Sequence, residues 1–297
     1  MSNASSLLSQ FSEALSELTA NARDFVAVVQ TSDGCCECSG ILWRPNAVAI
    51  SEQALPDASE YEVKIGGQSA KAVLAGRDPG TNIAVLKLDR DFPFSLRAMS
   101  VPKTGSLALV LGAAQEAVSA RLALVRYANG AWESRAGATI DHRIVLDTRI
   151  GGAEGGPVLA ADGTLLGMST RGARRESLVI PASTVEKSVT ALLAHGSVQR
   201  GWLGVALRPV ALPEALRPAN GQRIGLMVME VADSSPGAKA GIVAGDIILS
   251  AGGVPATRFG NIMRQLGAAN IGKTIEVILA RAGATVTSKV TIEAKPA

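Results

Sequence analysis

Three thiols stand together at Cys35, Cys36 and Cys38, in the run Gly34-Cys-Cys-Glu-Cys-Ser39, and a soft metal is the chemistry such a cluster invites. A closed zinc site takes about four ligands. The chain has Cys 3 in all, so no second pair exists to complete one, and we read a reduced, loop-borne thiol patch with no metal and no other cofactor. The residues that could shuttle a proton near neutral pH are His142 and His195. His142 falls among strand-like runs and His195 at the end of a helical stretch, where histidine serves as a surface or capping residue.

The elements that must position any chemistry follow from length and pattern. With 297 residues the chain has room for roughly two domains of about 150 residues each. Apolar residues at 47% and charged residues at 19% give an ordered globular composition. Aromatics at 3% leave few rings on which bases could stack. The net charge of +3, with no basic run longer than the pair Arg174 and Arg175, lacks a phosphate footprint. These numbers argue against a nucleic-acid partner. No stretch approaches the length of a membrane span, and Met1 to Thr31 shows no basic region followed by an apolar one. As written the chain reads as cytoplasmic, and as extracytoplasmic if its true start lies elsewhere.

Leu7, Leu8, Phe11, Leu15 and Leu18 recur at helical spacing, so residues 1–24 are expected to form an amphipathic helix laid on the core, with an oligomer contact as the other reading. From Phe25 to Ile180 short apolar or alternating runs such as FVAVVQ, AVAI, IAVLKL, SLALVLG, RIVLDT and SLVIP are broken by Gly, Pro, Asn and Asp. That rhythm is all-β, in two halves of similar size with a seam near Thr104-Gly105. Residues 182–199 hold a linker helix with a Ser or Thr cap and a stop at Gly196. Residues 200–297 form a small α+β unit of five or six strands, with short helices at Pro236 to Gly241 and near Arg258 to Leu266.

Several motifs resemble one family. Arg200-Gly-Trp-Leu-Gly-Val205, Ser235-Pro-Gly-Ala-Lys-Ala-Gly-Ile242 and Gly245-Asp-Ile-Ile248 are similar to a PDZ domain of the kind attached to bacterial proteases. Gly152-Ala-Glu-Gly-Gly-Pro157 followed by Asp162-Gly-Thr-Leu-Leu-Gly167 resembles the nucleophile loop of HtrA/Deg serine proteases, and Asp78-Pro-Gly-Thr-Asn-Ile-Ala-Val-Leu-Lys-Leu-Asp89 resembles their aspartate segment. Ser39-Gly-Ile-Leu42 and Ala47-Val-Ala-Ile-Ser-Glu-Gln-Ala-Leu55 fall where that family carries its entry strand and its histidine. The resemblance runs from about Phe25 to Ile292. It implies a mostly β fold, a chymotrypsin-like double β-barrel over residues 25–181 followed by a small α+β PDZ domain.

On the positions so matched, the histidine is replaced by Gln53, the aspartate by Asn82 and the serine by Glu154. In the family's mechanism a hydroxyl attacks a carbonyl, an imidazole takes the proton and a carboxylate steadies the imidazolium. A Gln amide cannot take and return that proton. Asn is neutral, and Glu would set a negative charge beside the donors meant for an oxyanion. The run Ile150-Gly-Gly-Ala-Glu154 is also a residue shorter than the family's, so the oxyanion loop is expected to be reshaped. The implied function is a catalytically inactive, peptide-binding or regulatory scaffold. Its PDZ loop Trp202, Leu203, Gly204 and Val205 would receive a peptide carboxylate, and Ile262, Met263 and Leu266 would face the groove or else pack in the core. Implied partners are C-terminal or extended peptides and unfolded segments, and a homotrimer or an assembly with an active relative. Two enzymatic alternatives stay open: a serine endopeptidase whose triad lies elsewhere, and a hydrolase built on Glu154 and Gln53.

Overall fold

The computed structural model describes residues 3–31, 36–95, 97–114, 117–134, 137–172, 176–218, 221–267 and 270–294. They form two compact units, one of residues 1–136 and 140–198, the other of residues 137–139 and 199–297.

In the first unit, β1 (Val26–Thr31), β2 (Glu37–Arg44), β3 (Ala47–Ser51), β4 (Tyr61–Ile65), β5 (Gln68–Asp78) and β6 (Ile83–Leu88) close a barrel in the order β1-β2-β3-β6-β5-β4. Strand β3 is buried along its whole length, which is why its sequence AVAI runs apolar without alternation. The second barrel takes β7 (Leu107–Ala114) and β8 (Ala117–Asn129), passes over the short β9 (Trp132–Glu133) and β10 (Thr139–Ile140), and adds β11 (Arg143–Leu146), β12 (Pro157–Ala160), β13 (Leu165–Arg171) and β14 (Ser177–Pro181). It closes as β11-β14-β13-β12-β7-β8. The expected seam near Thr104-Gly105 falls in the connection between the barrels. Leu109, Leu111, Leu159, Leu165, Met168 and Ile180 of the second barrel join the core of the first, so one apolar body holds both barrels at a fixed distance.

Helix α1 (Asn3–Asn21) corrects one expectation. Leu15 and Leu18 pack on the barrel core, but Leu7, Leu8 and Phe11 are 66%, 70% and 41% exposed, so only the C-terminal half of the helix is laid down. Helix α2 (Ala182–His195) ends at Gly196 as expected, but its N-cap is Pro181, with no side-chain capping bond. Pro181 completes β14 and fixes the chain's entry into the helix, so no Ser or Thr stands at the cap. This helix belongs to the barrel body. It buries Val185, Val189 and Leu192, Glu186 accepts from Trp43 Nε1 at 2.8 Å and pairs with Arg44, and Ser188 meets Thr81, which donates to buried Asp78 at 2.6 Å.

The second unit is a sheet in the order β16 (Val205–Ala211), β17 (Ile224–Val231), β18 (Ile247–Ala251), β20 (Thr274–Arg281), β21 (Ala284–Thr291), with β19 (Val254–Pro255) on β18 and a separate pair of β15 (Gly201–Trp202) with β22 (Glu293–Ala294). Helix α3 (Pro236–Lys239) is capped by the Ser235 hydroxyl, which accepts from Ala238 N. The helix expected near Arg258 to Leu266 is α4 (Phe259–Met263) continued as a tighter 3-10 turn over Arg264–Leu266. Asp246, 1% exposed, accepts from Arg281 Nε and Nη2, both at 2.7 Å, and from Val243 N at 2.9 Å. Removing it leaves the Val243 amide without its acceptor and the Arg281 guanidinium with the Gly241 carbonyl alone. Asp246→Ala is expected to weaken this unit by about 2 kcal/mol, seen as faster hydrogen exchange in β17, β18 and β20 with the barrel amides unchanged.

Candidate active site and peptide groove

Gln53 sits in a 3-10 turn, Glu52–Ala54, that leaves the end of β3. Asn82 precedes β6 with φ of 58°, a left-handed backbone that Asn tolerates better than most side chains. Glu154 closes a second 3-10 turn, Gly151–Ala153, just before β12. The next residue, Gly155, has φ of 90°, and a Cβ there would run into the Ser39 carbonyl, so the loop's path past Glu154 requires glycine. Ser39, fully buried, donates to Gly152 O at 3.0 Å and accepts from Ala113 N at 2.8 Å, which locks the loop against β7.

The fold brings Gln53, Asn82 and Glu154 into one network. Gln53 Nε2 donates to Glu154 Oε1 at 2.5 Å and Gln53 N donates to Asn82 Oδ1 at 2.8 Å. Asn82 Nδ2 donates to Thr170 Oγ1 at 2.5 Å and to Ser51 Oγ at 3.1 Å. The Ser51 and Thr170 hydroxyls each reach Glu154 Oε1 at 3.3 Å, and Arg171 N does so at the same distance. Arg171 Nε completes the set, 2.5 Å from Oε2. Glu154 is therefore 5% exposed and surrounded by donors from both barrels.

Burial alone would push the Glu154 carboxyl up. The hydrogen bonds from Gln53 and Arg171, with the Arg171 charge, outweigh it and hold the group below its ordinary range. The carboxylate is thus ionised at neutral pH and its oxygens are already engaged. It has no proton to give, and a water seeking a base must displace a bond. The Glu/Gln hydrolase alternative needs the opposite shift.

Ser51, Thr170 and Arg171 were not singled out by sequence. Ser51 lies within the Ala47 to Leu55 run but not at its matched position, Thr170 and Arg171 belong to no motif, and only the packing of the two barrels carries the ends of β3 and β13 to the same point. Cys38, on β2, donates to Ala54 O at 2.9 Å. Burial first, then the charges of Cys36, Glu154 and Glu37, push its thiol up to about 11, so it stays protonated. Cys36 is exposed, and Cys35 lies outside the described residues. Among the described residues no three His, Cys, Asp or Glu side chains group as a metal site would require.

In the second unit, Gly204 has φ of 74°, and a Cβ there would strike the Ser235 side chain, so the Trp202 to Val205 loop is drawn tight against the cap of α3. Leu203, Ile262 and Leu266 are core residues, which favours packing over groove lining for these three. Trp202, Val205 and Met263 are partly exposed, and Phe259, at the start of α4, is 44% exposed. Phe259 went unnoticed because one apolar residue at a helix start has no periodicity to mark it.

Two six-stranded barrels with loops meeting at Glu154, followed by a PDZ-type module, define a trypsin-like protease fold. Comparison with known proteins agrees: a trypsin-like peptidase domain matches residues 38–168 and a PDZ domain residues 201–292. The chain is 29% identical over 260 residues to a probable periplasmic serine endoprotease, DegP-like, of Rhizobium meliloti, covering 84% of this chain and 51% of that one. It is 28% identical over 267 residues to a counterpart from Pseudomonas fulva, covering 86% and 55%. It thus spans about half the length of these curated relatives. The serine endoprotease from Yersinia pestis superposes with a TM-score of 0.74 at 24% identity over 95% of this chain and 98% of that one. The HtrA-type protease AlgW, solved with a decapeptide, does so with 0.74 at 22% identity over 95% and 99%. By domain content and order the chain is similar to the HtrA/Deg-type proteases.

The Glu154 network carries a pH signature. Because the folded carboxyl titrates below its unfolded value of about 4.3, its stabilisation is present above that value and is lost as pH falls through the folded one. The stability difference between wild type and Glu154→Gln is expected to be full at pH 7, on the order of 2 kcal/mol, and to close on acidification. Urea midpoints across a pH series measure it.

Proposed function

We propose that this chain is a catalytically silent HtrA-type protein that binds protein segments through its PDZ module. One observation carries the reading: at the position matched to the nucleophile stands a buried, ionised carboxylate whose oxygens are engaged by Gln53, Ser51, Thr170 and Arg171. Its charge opposes any oxyanion formed beside it. The amides of Gln53 and Asn82, at the positions matched to the base and its carboxylate, are hydrogen-bond donors into this cluster and take no proton at neutral pH. An HtrA-type endopeptidase using other residues is the second reading, favoured by the family match. The sequence places no imidazole before His142, which is what such a mechanism lacks in the first barrel.

Peptide binding rests on the tight Trp202 to Val205 loop beside the edge strand β16, the arrangement in which a terminal carboxylate meets backbone N–H groups and the ligand adds as a strand. The AlgW structures with bound decapeptide and tripeptide support it. The DegP-like relatives are named periplasmic, and we place this chain outside the cytoplasm with them. No helix among the described residues is long and apolar enough to cross a membrane. Leu7, Leu8 and Phe11, exposed on α1, are assigned to contact with further copies or with an active relative. Sedimentation showing only monomer at all concentrations would remove that assignment.

The test uses the full chain. No labelling by a fluorophosphonate probe, no cleavage of casein and saturable binding of peptides from a free-C-terminus decapeptide library are expected. Gly204→Ala should weaken that binding on the order of tenfold. Stoichiometric serine labelling would establish the protease reading instead, and casein turnover abolished by Glu154→Ala would establish the hydrolase.

A further inference from the structure

The reading above leaves open how long a peptide the module can hold, and the edge of β16 carries an answer. In an antiparallel ladder the main-chain groups of successive residues turn alternately toward and away from the neighbouring strand. Gly204 O accepts from Ala232 N and Leu212 N donates to Arg223 O, both at 2.8 Å, so the even-numbered residues 204 to 212 turn inward, toward β17. The register agrees. Val228 is bonded toward β18, donating to Asp246 O and accepting from Gly245 N, so it and Leu226 turn away from β16. Their partners across the ladder are Leu207 and Pro209. The residues presenting main chain at the outer edge are therefore Val205, Leu207, Pro209 and Ala211, and β16 is the end strand of its sheet.

Val205 and Leu207 each offer an N–H and a C=O. Pro209 offers a C=O alone, and its ring occupies the space where an incoming strand would find a hydrogen. A ligand antiparallel to β16 moves one residue back for each residue β16 moves forward. With its last residue opposite Val205, its third from the end lies opposite Leu207 and its fifth opposite Pro209.

We infer that Pro209 ends the regular peptide-docking edge, so that the module reads about the last four residues of a free C-terminus and gains little from main chain beyond them, where the N–H needed to continue the ladder is missing. The same proline denies the edge to a long strand from another protein. This inference rests on the proposed peptide binding.

The probes are the tightest decapeptide from the library screen and a tetrapeptide of its last four residues, both with free carboxylates, titrated into the full chain by isothermal calorimetry. For wild type the two Kd values should agree within about twofold, whereas in Pro209→Ala the decapeptide should tighten about fivefold, as one net hydrogen bond provides, and the tetrapeptide should not change. A length gain equal in wild type and variant, or no gain in either, overturns the inference and leaves the peptide-binding reading standing. A tetrapeptide affinity that shifts more than twofold in the variant overturns it also, because Pro209 would then act through the loop. Binding of neither peptide by wild type overturns the underlying reading, and the inference with it.

Discussion

An ionised carboxylate taken out of water must recover from protein donors the hydrogen bonds it loses, or its burial costs several kcal/mol. Glu154 recovers them from side chains and backbone on two separate barrels. Gln53 and Ser51 come from the end of β3, Thr170 and Arg171 from the end of β13 in Glu154's own barrel, and the distances to Gln53 and Ser51 depend on the barrels holding their mutual position. The shared apolar body that joins them and the clamp of Ser39 on the Gly152 carbonyl are thus conditions for this one residue to stay charged where it is.

The polarity of the network differs from that of a Ser-His-Asp arrangement. In a Ser-His-Asp arrangement the hydroxyl donates to the imidazole and the imidazole to the carboxylate, with the acid at the far end of the chain. Here the acid stands at the position that the proposed function matches to the hydroxyl, and the donors run toward it from Gln53 and, through Thr170 and Ser51, from Asn82. The hydrogen bonds point the opposite way. Such a cluster fits the lowered titration of Glu154 and supports the proposed silent function.

The second unit makes its own use of backbone geometry. The positive φ of Gly204 packs its loop on the α3 cap, the Asp246–Arg281 pair ties β20 to the turn before β18, and β16 is left at the sheet's end. Main-chain groups at a sheet end attract strands without regard to their side chains, and a proline is among the simplest ways to set how far such pairing runs.

The sequence alone determined the β rhythm and the order of barrels, helix and module, and its motifs marked Gln53, Asn82 and Glu154 as the positions on which the proposed function turns. Those follow from periodicity and from short motifs, which act locally along the chain. The helix stop at Gly196 was legible for the same reason, whereas the entry at Pro181 was not, since a strand's last residue doubles there as the cap. Only the tertiary structure decided that Leu7, Leu8 and Phe11 stand clear of the core while Leu15 and Leu18 reach it, because a helical stripe states which residues share a face and not how far the neighbouring surface extends. Gln53 and Ser51 became partners of Glu154 for a related reason. Contacts between barrels join residues far apart in the chain, and nothing in either segment encodes the other.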